Sequence, residues 1–284
     1  MDPTTKIAAP GVYTNVPFGE YRALDAWGSS SLKAMRRGPP ARVIWEQQHQ
    51  KDDTEATRIG SAVHCALLTP DIYDRIYAHK PEGMSFSRKD GMAWRDAHAD
   101  KVILSFDESV QVTGILAALV SKRAVKESLE NATHREVTLV WEQDGAPCKG
   151  RPDWIEGRYV FDLKVSRHAE GKALAYRSYV EGWQHQLAHY RTGALLNGLD
   201  VKGGRLVVVT PKPPHYVFTL EPKINSLDML EIENLATVKA MSECAAAGVW
   251  PGTEDRWIPV EPPPSALVEF GEQTFDIEED KEAF

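Results

Sequence analysis

Cysteine is scarce in this chain. Cys65, Cys148 and Cys244 stand far apart, with no CxxC pair and no histidine at zinc-finger spacing. That argues against a disulfide scaffold, a zinc ribbon and a four-cysteine iron–sulfur cluster. Long apolar runs are missing as well, and nothing approaches the ~18–20 residues of a membrane span. The first fifteen residues lack the basic-then-apolar pattern of a secretory leader. No GxxxxGK[ST] loop occurs, so neither ATP use nor a built-in helicase is expected. These absences lead to the expectation of a soluble, cytoplasmic protein with no membrane attachment.

What is present is ordinary globular material. The 284 residues are 42% apolar and 26% charged, which excludes disorder of the whole chain. The net charge of −8 is unevenly placed. Residues 253–284 hold ten acids against the two bases Arg256 and Lys281, a tail of −8; residues 1–252 hold 31 of each sign and are neutral. A single domain over 1–252 followed by an acidic, mobile tail is the expected organisation. The tail's end, acids before Phe284, suggests either a partner-recruiting segment or a plain solubilising one.

The first 130 residues read as mainly helical. Ser29–Ser31 precede a short helix ended by Gly38-Pro39-Pro40. Apolar residues at 59, 62, 63, 66 and 67 keep helical spacing over 57–68, and further helices are expected over 89–101 and 108–129. The period then changes to two. Strands are expected over 136–142, 148–155 and 158–165, with Glu156-Gly157 as a tight turn. A helix over 183–196, strands over 205–210 and 216–220, and a helix over about 226–246 complete an α/β core, with 131–252 as its sheet-bearing part.

The middle hairpin carries the chemistry. A Glu156-Gly157 turn pairs 153 with 160 and 151 with 162, so Lys149, Arg151 and Asp153 share a face with Val160, Asp162 and Lys164. Asp153 and Asp162 are then diagonal neighbours, roughly 7–8 Å apart at the backbone. One reading is a Mg²⁺ site: hard oxygen ligands leave positions for water and a phosphate, and a lysine orients or deprotonates that water. The competing reading is a salt-bridge ladder of Arg151, Asp162 and Lys164 on a solvated face.

Arg151-Pro152-Asp153 followed by Asp162-Leu163-Lys164 resembles the PD-(D/E)xK nuclease signature, more narrowly that of the phage-type exonuclease VIII (RecE) branch. Lambda exonuclease and the RecB nuclease domain are more distant relatives. Gly150-Arg-Pro-Asp153 is similar to that branch's GRPD, Gly60-Ser-Ala-Val-His64 to its GxxxH helix, and Gln186 with Tyr190 to its QxxxY helix. The resemblance implies a restriction-endonuclease-like mixed central sheet flanked by helices, with a helical N-terminal elaboration. It implies metal binding by Asp153, Asp162, the Leu163 carbonyl and His64, and Lys164 as the catalytic lysine. Gln186 and Tyr190 would face DNA, and Arg151 is placed with them. Glu136 is a candidate second-metal or outer carboxylate, a surface glutamate being the alternative. Ser31 and Arg36, at a basic helix start, are candidate phosphate contacts or simply solvated charge.

Between Lys149 and Arg191 eight bases face five acids, the local excess a phosphate backbone requires. The implied activity is Mg²⁺-dependent digestion of linear double-stranded DNA, 5′ to 3′, with Mn²⁺ able to substitute and no iron–sulfur cluster. The implied partners are DNA ends, further copies in a tetrameric or trimeric ring, and a single-strand annealing protein, in a bacterial or phage-infected cell. An endonuclease of the same fold, or a non-catalytic DNA-binding protein retaining it, are the alternatives.

Overall fold

The computed structural model describes residues 9–49, 54–167, 173–255, 257 and 259. Helices occupy Phe18–Ala23 (α1), Ser29–Arg37 (α2), Ala41–Gln48 (α3), Glu55–Leu68 (α4), Pro70–Ile76 (α5), Lys89–Ala97 (α6), Phe106–Ser121 (α7), Arg123–Glu130 (α8), Ala173–Val180 (α9), Trp183–Leu196 (α10) and Ile224–Ala247 (α11). Strands occupy Gly11–Tyr13 (β1), Tyr77–His79 (β2), Val102–Leu104 (β3), His134–Arg135 (β4), Thr138–Gln143 (β5), Ala146–Gly150 (β6), Trp154–Glu156 (β7), Tyr159–Val165 (β8), Gly203–Val209 (β9) and Val217–Leu220 (β10). The chain divides into a unit Met1–Pro251 and a unit Gly252–Phe284. In the second unit the described residues carry no helix or strand, and the expected acidic tail lies largely outside the described residues. Among the described residues no helix is long and apolar enough to cross a membrane.

The centre of the first unit is a five-stranded mixed sheet in the order β10-β9-β8-β7-β4. β8 and β9 run parallel, joined through α9 and α10, and the other neighbours are antiparallel. Gly-Gly-Arg-Leu-Val-Val-Val of β9 is nearly continuous in apolar residues because both its faces are covered. Ile155, Val160, Leu206 and Val208 pack on one side with residues of α2, α10, α11 and the β1-β5-β6 sheet. Trp154, Phe161, Leu163, Val207 and Val209 pack on the other with α4, α7 and α8. Asp162 sits on the first face, 2% exposed, where the alternation of β8 would otherwise place an apolar side chain.

α10 is buried nearly all round, and its Gly193 is required by a close approach. A Cβ there would lie 2.5 Å from Cζ3 of Trp141, a core ring 2% exposed. Gly193→Ala is therefore expected to destabilise the fold by on the order of 3 kcal/mol, outweighing the roughly 1 kcal/mol gained in helix propensity. Urea unfolding checks this; an unchanged midpoint would contradict the close packing.

Several expectations need correction. The helix over 108–129 is two helices, α7 and α8, parted at Lys122, whose backbone is extended. The strand over 148–155 is broken: β6 belongs to the three-stranded sheet, and β7 to the five-stranded one. The strand over 136–142 begins two residues later, as β5 at Thr138 in the three-stranded sheet, while the preceding β4, His134–Arg135, joins the five-stranded one. Both segments bend together, with the Glu136 N–H donating to the Asp153 carbonyl at 2.9 Å. Glu136 makes its bend in the left-handed region, φ 49°, which costs a non-glycine residue on the order of 1 kcal/mol. The hairpin turn is Gly157-Arg158, not Glu156-Gly157, because Glu156 pairs with Tyr159 and Trp154 with Phe161. This two-residue shift keeps each side chain on its face. It also moves Asp153 from a diagonal position to one against the Phe161–Asp162 peptide, where its N–H donates to the Phe161 carbonyl at 3.1 Å.

Candidate active site

The double bend puts Glu136 and Asp153 together at the edge of the five-stranded sheet, beside β8. From the opposite layer α4 contributes His64. Thr54 caps that helix reciprocally with Thr57, which fixes where the helix begins and so its register against the sheet. Ile59, Ala62 and Val63 bury its inner face, leaving His64 at the boundary. His64 Nε2 lies 3.1 Å from the Leu163 carbonyl and Nδ1 lies 3.3 Å from Asp153 Oδ1. The second Asp153 oxygen accepts from the Leu163 N–H.

Asp162 Oδ2 lies 2.6 Å from Lys164 Nζ, a buried ion pair. Lys164 in turn donates to Gln186 Oε1 at 3.0 Å, and Gln186 Nε2 donates to the Tyr190 hydroxyl at 2.6 Å. Gln186 and Tyr190 are one helical turn apart on α10, so one helix edge aims the lysine. Arg151 Nε lies 2.9 Å from Glu136 Oε2, and its Nη2 donates to the Val16 carbonyl at 2.8 Å.

The electrostatics are those of acids gathered away from water. Burial pushes Asp162 up to about 6, which Lys164 offsets and Asp153 reinforces. Burial and the Asp153 charge also raise Glu136, against the pull of Arg151. Burial works against the ionised form of Asp153 too, yet His64, Lys164 and the Leu163 N–H together hold its carboxyl below the usual range. Burial disfavours the His64 imidazolium, but the Asp153 carboxylate prevails and lifts it to about 9.

Among the described residues one trio of potential metal ligands, His64, Glu136 and Asp153, has its ligand atoms within 4.8 Å of one another. Carboxylate oxygens with one imidazole and a neighbouring main-chain carbonyl suit a hard divalent cation. The Glu136 carboxyl, raised by burial and by the Asp153 charge, is what such a charge would relieve. The residues therefore fit an ion. Asp162 stands outside that trio, its oxygen turned to Lys164.

The solvated salt-bridge ladder does not form, since Asp162 is buried and Arg151 pairs with Glu136. Lys149 leaves the site altogether: its ammonium donates to the carbonyls of Tyr21, Arg22 and Leu24, closing the end of α1. Tyr190 is 4% exposed and acts as a prop for Gln186, not as a DNA-facing ring. Arg151, its side chain 12% exposed, is likewise a strut between Glu136 and Val16. Ser31 is buried in α2, whose cap is Gly28, so the serine run lies inside the helix. Arg36 donates to Asn234 at 3.2 Å, at the junction of α2 and α11, not at the carboxylates. Sequence reasoning missed the segment around Val16 and Tyr21, whose ring lies under Arg151 with the guanidinium 5.7 Å from its centroid. No local signal marks a contact across about 130 residues.

His185 and His189 go separate ways, His185 to Glu233 at 3.0 Å and His189 to the Lys149 carbonyl at 3.0 Å. Burial pushes His189 from 6.5 down to about 4. The unfolded chain takes up that proton near 6.5 while the folded one resists it, so stability is full above about 6.5 and falls as pH drops toward 4. The loss is on the order of 3 kcal/mol. His189→Phe is expected to flatten this part of the pH dependence of the urea midpoint; an unchanged slope would contradict it.

Residues 28–252 match the family described as "PDDEXK-like domain of unknown function (DUF3799)". No curated protein matches the chain. A crystal structure of a "Putative exonuclease" from Eubacterium rectale superposes with a TM-score of 0.63 at 12% identity, covering 90% of this chain and 98% of that one. At that identity the likeness speaks to the fold.

Proposed function

Given that the chain belongs to the PDDEXK-like domain family of the PD-(D/E)xK nuclease superfamily, we propose that it is a divalent-metal-dependent DNA exonuclease of the phage recombination type. The observation that carries this reading is the constellation at the double bend: Glu136, Asp153 and Asp162 gathered with Lys164 and His64. Asp153, Asp162, Glu136, His64 and the Leu163 carbonyl are the groups that would hold the ion. Mg²⁺ is the expected ion, with Mn²⁺ as a substitute; when bound it polarises the phosphoryl group and acidifies a water.

The chain's own residues supply the rest. Lys164, held by Gln186 on one side and Asp162 on the other, is placed to orient the attacking water and to offset charge on the phosphorane-like transition state. Asp153 holds the Leu163 N–H with one oxygen and His64 with the other, and His64 in turn meets the Leu163 carbonyl, so the three groups keep one register. Polarity, 5′ to 3′ with a 3′ strand left for an annealing protein, rests on the resemblance to the exonuclease VIII branch. So does assembly into a tetrameric or trimeric ring.

Linear duplexes labelled at the 5′ or the 3′ end, and a covalently closed circle, test the reading. Early release of the 5′ label as mononucleotide, with the circle intact, is expected. Cutting of the circle would replace it with an endonuclease of the same fold. Binding without cutting any substrate would leave a non-catalytic DNA-binding protein.

A further inference from the structure

Three carboxylates meet at the bend, and two of them carry a fixed cation. Lys164 Nζ lies 2.6 Å from Asp162 Oδ2, and Arg151 Nε lies 2.9 Å from Glu136 Oε2. Asp153 faces the His64 imidazole instead, a ring that is neutral whenever it ligates a metal. Besides one another, the charged groups that act on these carboxyls are Arg151, Lys164 and His64. Arg151 is held from two further sides. Its Nη2 donates to the Val16 carbonyl at 2.8 Å, and its guanidinium lies 5.7 Å from the centre of the Tyr21 ring. Lys149 fixes that segment in turn, donating to the Tyr21 carbonyl at 3.1 Å. A guanidinium keeps its proton inside a protein, so the charge beside Glu136 is permanent.

We infer that the centre takes a single divalent ion, and that Arg151 stands beside Glu136 in the place a second ion would fill. The inference rests on the reading of the bend as a metal centre and adds the number of ions. Formal charge is the first argument. Three carboxylates against Arg151 and Lys164 leave −1, which one divalent ion turns to +1 and a substrate phosphate returns to zero. A second ion would add two more positive charges where Asp153 is 7% and Asp162 2% exposed. Uncompensated charge held away from water is heavily penalised. Geometry is the second argument. Two-ion hydrolytic centres hold their metals about 3.5–4 Å apart, close enough to share carboxylates. Among the described residues one trio of ligand atoms gathers within 4.8 Å, and Glu136 turns one of its two oxygens to Arg151. That leaves Glu136 one oxygen for one ion.

Mn²⁺ is the probe, because electron paramagnetic resonance counts its free form directly. The full-length protein is titrated without DNA beside Asp153→Asn, so that ions held by acids elsewhere on the chain cancel. The wild type is expected to hold one Mn²⁺ more than Asp153→Asn. Arg151→Gln keeps a donor for Glu136 and Arg151→Met keeps the bulk, while both remove the charge. Whichever of them folds, by circular dichroism, is expected to hold one Mn²⁺ more than the wild type. Adding Glu136→Gln is expected to return that count to the wild-type value, and Arg151→Lys, which keeps the charge, is expected never to leave it. Two ions at the bend of the wild type would overturn the inference and leave the metal centre standing. So would an unchanged count in a folded Arg151→Gln or Arg151→Met protein. Equal counts in the wild type and Asp153→Asn look different: they would remove the metal centre itself, and the inference with it.

Discussion

Lys164→Ala is expected to lower phosphodiester hydrolysis by about a thousand-fold or more while leaving affinity for duplex ends within a few-fold. General acid–base and electrostatic contributions of single positioned groups are each worth about a hundred- to ten-thousand-fold, and Lys164 is placed to supply both. The variant also removes the cation 2.6 Å from Asp162, which is 2% exposed. An abandoned buried carboxylate is costly, on the order of several kcal/mol unless it takes up a proton. Asp162 is already pushed up to about 6 by its burial, offset only in part by Lys164, so protonation is the easier outcome. The variant should fold, and a circular dichroism melt taken beside single-turnover kinetics separates the effects. Wild-type turnover in a folded Lys164→Ala protein would remove the lysine from the mechanism.

The second large effect is expected at Asp153. Its two oxygens serve different masters, one facing His64 and the other accepting the Leu163 N–H. Asn at this position offers one acceptor and no charge, so one of those contacts is lost and the attraction for a cation falls. In the wild type, Mg²⁺ at about ten times its dissociation constant should raise the melting temperature by roughly 3–6 °C. Asp153→Asn should show no Mg²⁺-dependent rise, and hydrolysis should be lost with it. This thermal readout does not depend on turnover. A full Mg²⁺ shift in Asp153→Asn would place the ion elsewhere.

The parts of this site legible in the sequence are those whose logic is local. Asp162 and Lys164 lie two residues apart in a strand that otherwise alternates apolar residues to both faces, so their common face follows from a period of two. α10 was bounded at Trp183 and Leu196 because Asn197-Gly198 close it and no proline interrupts it. The resemblance placed His64 and Gln186 near the carboxylates, which no spacing argument reaches. What sequence did not disclose is the bend. Glu136 in the left-handed region carries no glycine or asparagine to announce it, and the break at Arg151–Asp153 is imposed by which sheet each half joins. Hydrophobic alternation is the same before and after such a break, so two strands read as one. The placement of Val16 and Tyr21 against Arg151 is tertiary throughout. Ser31 looks exposed at a helix start until the neighbouring layer that buries it is known, and Arg36, in the last turn of α2, meets Asn234 through a contact across about 200 residues.

One measurement bears most directly on the claim that this bend is a metal-dependent hydrolytic centre. It is the release of soluble nucleotides from a linear duplex by the wild-type protein in Mg²⁺, after EDTA, and after Mg²⁺ is restored. The account predicts release in Mg²⁺, none in EDTA, and full recovery on restoration, with Asp153→Asn silent in all three conditions. Release that persists in EDTA, or that Asp153→Asn retains, would contradict it.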